Sequence, residues 1–123
     1  VKGFVFPHVH GASVNFMFAT TNKVVSIHHN GDNLTPTLNW EITSIPFPST
    51  PIFLPGTTTA LVGSSNGNLY RIDGVNTASP SVIPLLLGDG TSAVGLPAFD
   101  LVNRVIYVGT DAGAIYAIEY PFP

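Results

Sequence analysis

The chain has 123 residues, 45% of them apolar and only 9% charged, with a net charge of −3. Four basic residues against seven acidic ones offer no electrostatic footprint for a nucleic-acid backbone, and no stretch approaches the roughly 18 consecutive apolar residues of a spanning helix. Zero cysteines exclude a disulfide framework, a thiolate metal site and covalent haem attachment, while a surface rich in Ser, Thr and Asn and poor in lysine leans towards a secreted or periplasmic bacterial protein.

In chain order, β-branched and aromatic runs bounded by Gly, Pro, Asn and Asp predict strands over 3–10, 14–20 and 23–29, then a fourth over 38–42. A second set follows and closes on a fourth strand over 81–87. Pro84 interrupts that run; because proline donates nothing to a ladder, the strand belongs on a sheet edge. The third set stops after its third strand, at Tyr120. No window carries apolar residues at helical spacing with caps around it, so the expected class is all-β.

The three sets are copies of one phrase. Residues 16–28, 61–73 and 107–119 align, with one residue dropped from the first copy's turn. A proline stands 11 residues before the same strand position each time, at Pro7 and Phe18, Pro51 and Val62, Pro97 and Val108, and the copies are spaced 62 − 18 = 44 and 108 − 62 = 46 residues apart. A period in the forties with strand content is the mark of a β-propeller blade or a similar stacked sheet. The register sets Phe18, Val62 and Val108 at one core position, Val24, Leu69 and Ile115 at a second, and Ile27, Ile72 and Ile118 at a third, as packing between adjacent sheets requires. Gly63 and Gly109, with Ala19 as their equivalent, are expected to admit close backbone. Asn66-Gly67 predicts a type I′ hairpin turn. The expected architecture is one domain over 1–123, a partial propeller of about three four-stranded antiparallel blades near 3–42, 49–87 and 94–120, the last without its fourth strand.

Residues 61–73 and 105–119 resemble the repeat of the quinoprotein-like propellers, which runs through a Val-Tyr-Val-Gly-Ser-x-Asp-Gly-x-Leu-Tyr-Ala-Leu-Asp pattern in quinone-dependent dehydrogenases and in many non-enzymatic relatives. The resemblance implies blade architecture. It carries less for activity. Quinone-binding members close each blade with a glycine and a tryptophan four residues apart, whereas Gly31 and Trp40 here are nine apart and Trp40 is the sole tryptophan. Neither a vicinal cysteine pair nor a Glu/Asn/Asp cluster for calcium is present. Non-enzymatic relatives, such as outer-membrane assembly scaffolds and pilus-associated propellers, are the closer match in kind, and no cofactor is expected.

Few residues suggest chemistry. His8 and His10 project to one face of an extended strand and could chelate a transition metal, as could the neighbouring pair His28 and His29, yet neither pair recurs between copies. In the proline register His8 replaces Ile52 and Ala98, and His28 replaces Asp73 and Glu119. The 63–67 stretch lacks the lysine and helix of a phosphate loop, and the chain has no Gly-x-Ser-x-Gly elbow. Two readings stand beside each other. One is a non-catalytic interaction module that completes a larger propeller with a protein partner or with itself; the other is the carboxy-terminal fragment of a quinone-dependent dehydrogenase. On the first, the last strand has an unpaired edge that recruits a strand from elsewhere, placing Ala114, Tyr116, Ile118 and Tyr120 at an intermolecular contact.

Overall fold

In a computed structural model, which describes residues 2–8, 14–29 and 36–122, the chain is all-β. Its strands are β1 (Lys2–His8), β2 (Val14–Ala19), β3 (Val24–His29), β4 (Thr37–Ile42), β5 (Ile52–Phe53), β6 (Thr59–Gly63), β7 (Asn68–Asp73), β8 (Ser81–Leu86), β9 (Ala98–Asp100), β10 (Val105–Gly109) and β11 (Ile115–Glu119). They form three antiparallel meanders: sheet 1 in the order β1-β2-β3-β4, sheet 2 in the order β5-β6-β7-β8, and sheet 3 in the order β9-β10-β11, none of them closed. Pro84 lies on β8, an edge strand, where its missing donor costs no ladder bond.

The repeat is written into the pairing. Ala19 faces Val24, Gly63 faces Leu69 and Gly109 faces Ile115; one step on, Phe18 faces Val25, Val62 faces Tyr70 and Val108 faces Tyr116. Each sheet therefore has two equivalent faces. Face A carries Phe18, Val62 or Val108, and face B carries Met17, Leu61 or Tyr107.

These faces stack in one direction. Met17, Val24, Trp40 and Ile42 on face B of sheet 1 pack with Ala60, Val62, Tyr70 and Ile72 on face A of sheet 2. Leu61 and Leu69 on face B of sheet 2 pack in turn with Ile106 and Val108 on face A of sheet 3, flanked by Phe99, Tyr116 and Ile118. Sheet 2 is thus buried on both sides, and all five residues of β6 are out of water. The sole tryptophan pins the first junction: Trp40 Nε1 donates 3.0 Å to the carbonyl of Val75, beyond β7. At the second, Arg71 donates to the carbonyl of Phe122 and its guanidinium lies 5.2 Å from the centre of that ring.

Three expectations need correction. The proline marker fails in the first copy. Ile52 and Ala98 pair with the equivalent residues Leu61 and Tyr107, but Met17 pairs with Phe6, so Phe6 holds the position that the marker assigns to His8. The reason is a connection two residues longer: Phe6 to Met17 spans 11 positions, against nine from Ile52 to Leu61 and nine from Ala98 to Tyr107. Pro7 consequently lies inside an edge strand instead of ahead of one.

The second correction concerns the Asn66-Gly67 turn. A type I′ turn needs φ > 0 at both central residues, and only Gly67 has it, at +85°. Ser64 and Asn68 close a three-residue loop in which the Gly67 amide donates to the Ser64 carbonyl, a turn whose last residue is left-handed. Gly113, at +86°, repeats this between Thr110 and Ala114. Finally, Ile115 is not core. It is 81% exposed, because among the described residues no sheet lies against face B of sheet 3, and Phe18 and Ile27, also expected in the core, are half-buried on face A of sheet 1 for the same reason.

Candidate interaction surface

Because every junction sets a face B on a face A, each end of the stack leaves one face that no sheet of the described residues covers. On sheet 1 this is face A, with Phe16 opposite Ile27, Phe18 opposite Val25, and Leu38 opposite Ile27 on the next strand. Phe16, Phe18 and Ile27 are half-buried and Leu38 is 53% exposed, whereas their counterparts Ala60, Val62 and Ile72 on sheet 2 are sealed. On sheet 3 it is face B, with Tyr107 flanked by Ala98 and Ala117, and Gly109 opposite Ile115. Each surface carries an apolar patch by descent from the repeat, Phe16, Phe18, Ile27 and Leu38 on one and Tyr107 and Ile115 on the other, bordered by charge: Glu41, opposite Val25 and paired with Lys23, on the first and Glu119 on the second.

The glycine row sharpens the contrast. A Cβ on Gly63 would lie 2.3 Å from the Gly95 carbonyl oxygen and 2.5 Å from that of Val94, so the backbone entering sheet 3 crosses sheet 2 at this point. The close approach expected there is present. At Gly109 the nearest atom to such a Cβ is the carbonyl oxygen of Ala114, in its own hairpin, at an ordinary 3.7 Å. Gly109 keeps the small residue without the crossing strand.

β11 also ends the sheet, and its ladder fixes which groups are free. The Thr110 amide donates to the Ala114 carbonyl and the Tyr120 amide donates to the Arg104 carbonyl, so by antiparallel alternation the even-numbered residues of β11 bond inward to β10. The N–H and C=O of Ile115, Ala117 and Glu119 point to the edge of the sheet, where no strand of the described residues pairs with β11. In sheets 1 and 2 the equivalent edges are occupied by β4 and β8.

Of the residues expected at a contact, Tyr116 and Ile118 turn inward and pack against the core shared with sheet 2. Tyr120 donates 3.3 Å to the Thr59 hydroxyl and meets Phe99 edge-on at 5.7 Å. Ala114 closes the turn through its carbonyl. The outward row is Ile115, Ala117 and Glu119, the last two as exposed as the first in kind. That row was legible from the repeat, since face B positions alternate with Tyr116 and Ile118.

The histidines are divided. His10 lies outside the described residues. His8 ends β1 opposite Asn15, which stands opposite His28, so two strand spacings separate the pair. His28 and His29 are consecutive on β3 and project to opposite faces. His28 Nδ1 is 2.9 Å from Asn39 Oδ1, while the Asn39 amide donates 3.1 Å to both Asn15 and Ser26. This polar row recurs in sheet 2 at the same positions: Thr59 donates 3.0 Å to Asp73, which also takes 3.1 Å from Arg71. Among the described residues no three His, Asp or Glu side chains come together to hold a metal ion, and no helix is long and apolar enough to cross a membrane.

Comparison with known proteins returns no match to this chain, whether against protein-family models, curated proteins or solved structures.

Proposed function

We propose that the chain is a non-catalytic interaction module of the quinoprotein-like propeller type, secreted or periplasmic, whose sheets extend a larger stack by contact with a protein partner or with further copies of itself. The observation that carries this reading is the pair of end faces, each with an apolar patch, Phe16, Phe18 and Ile27 on one and Tyr107 and Ile115 on the other, at positions whose equivalents in sheet 2 are sealed. The free edge of β11 supports it, because a row of unpaired backbone groups templates pairing with another strand. The polar side chains with chemical potential support it too: His28, Asp73 and Arg71 are engaged in rows that hold strands and sheets together.

Sedimentation over a range of micromolar concentrations is the test. Association is expected, and Ala117→Pro, which deletes an outward-facing donor without touching the β10 ladder, should weaken any component that runs through the edge. A folded chain that stays monomeric throughout would overturn its self-association part and leave contact with a different protein. Turnover of an alcohol or sugar in the presence of pyrroloquinoline quinone and calcium would overturn its non-catalytic part.

A further inference from the structure

The stacking direction restricts both the partner and the geometry of contact. Inside the molecule face B meets face A at both junctions, with Met17 and Val24 set on Val62 and Ile72, and Leu61 and Leu69 set on Ile106 and Val108. The uncovered faces are a face A at one end and a face B at the other. We infer that a second copy of this chain covers them, the Tyr107–Ile115 face of each copy docking on the Phe18–Leu38 face of the other in a closed head-to-tail dimer. This rests on the proposed interaction role and names its partner.

Continuity with the internal junctions selects this occupant. A second copy presents both complementary faces, with side chains drawn from the same position classes that already pack together twice. The small residues fit as well: Gly109, Ala98 and Ala117 form a flat floor around Tyr107 and Ile115, against which the bulkier Phe16, Phe18, Ile27 and Leu38 can settle. Face A set on face A, the alternative for a symmetric patch, would bring four large side chains against four others and occurs at neither junction. Two copies carry six sheets, within the roughly 4 to 8 of closed propellers, so the head-to-tail contact can close instead of growing into a filament.

A head-to-tail contact permits a complementation experiment that a patch pairing with itself does not. Leu38→Asp spoils only face A of sheet 1, and Ile115→Asp spoils only face B of sheet 3; both side chains are more than half exposed, so folding should survive, as circular dichroism can verify. The wild type should sediment as a dimer. Each variant alone should dissociate at least about tenfold more readily, and an equimolar mixture should recover dimer, because one intact face of each kind remains between the two chains. If either variant unfolds, Ile27→Asp and Tyr107→Asp replace it on the same faces. A wild-type monomer would overturn this inference and leave the interaction reading with a different protein as the partner. A wild-type dimer untouched by both variants, or mixtures that recover nothing, would overturn the inference alone, and sensitivity to Ala117→Pro in that case would leave an edge-mediated partner standing.

Discussion

Sheets 2 and 3 share one pattern and live in different surroundings. In β7 Leu69, Tyr70 and Ile72 are buried and Arg71 is half-buried, whereas in β11 the matching Ile115 and Ala117 are exposed and Tyr116 and Ile118 half-buried. The same register, turn and left-handed glycine recur in both. What separates them is the neighbour on face B: sheet 3 lies there for sheet 2, and nothing within the described residues lies there for sheet 3. A repeat thus specifies which positions can be core, and stacking decides which of them are. Hydrophobic burial follows the neighbour because it scales with apolar area taken from water.

The largest expected effect follows directly. Leu69→Ala removes a fully buried side chain and should destabilise by about 2–5 kcal/mol, while Ile115→Ala at the equivalent position should change stability by no more than about 0.5 kcal/mol. Denaturant melts of the two variants, below the concentration at which the chain associates, measure the difference. Equal losses would place a sheet against Ile115 within the single chain and break the comparison.

The hairpin glycines refine it. Gly67 and Gly113 have nearly the same φ, so valine at either suffers a left-handed strain of about 1–2 kcal/mol. At Gly67 a Cβ would also lie 2.5 Å from the backbone of Gly90, in the connection leaving β8, whereas at Gly113 it meets nothing within 4 Å. Gly67→Val should therefore cost about 1–3 kcal/mol more than Gly113→Val. Matching midpoints would mean that the 88–92 connection does not cross this turn.

At the other junction, Trp40→Phe keeps most of the apolar area and deletes the bond to Val75, leaving a buried carbonyl without that donor. A loss of about 1–3 kcal/mol is expected, read by calorimetry. A change within error would show that sheet 1 is held to sheet 2 by packing alone.

The smallest effect lies in the exposed β9–β10 connection. The side-chain amide of Asn103 and the amides of Asn103 and Val102 all donate to Asp100, and they hold its carboxyl below the usual aspartate range. A depressed folded-state pKa contributes stability above the unfolded value and loses it as pH falls through the folded one. Asp100→Ala should accordingly melt slightly lower than the wild type near neutral pH, and the gap should close in acid as the pH falls through the lowered folded-state pKa. A gap that persists in acid would assign the effect to backbone preference.

Much of this fold could be read from the chain. The strand–turn–strand phrase placed β2, β3, β6, β7, β10 and β11, because alternating β-branched residues around Asn, Asp and Gly leave few other options. Pro84 located an edge. The proline marker misled at Pro7 because register is set by the pairing of β1 with β2, and a connection two residues longer slides a strand without changing its composition. Ile115 misled for a different reason: periodicity names a face and cannot say whether another sheet covers it. Trp40 departs from the spacing of tryptophan docking, yet its role depends on a carbonyl 35 residues away, which no local signal reports. The uncovered faces were within reach, since any open stack built from one repeat exposes opposite faces at its two ends.

The stacking direction is the claim on which the rest depends, and methyl–methyl contacts in solution by NMR test it most directly. Leu61 and Leu69 should show contacts to Ile106 and Val108, and Val62 and Ile72 should show contacts to Met17 and Val24, with the Ile115 methyl groups in contact with neither set in the monomer. Contacts from Leu69 to Val24, or from Val62 to Val108, would put the wrong faces together and contradict the account.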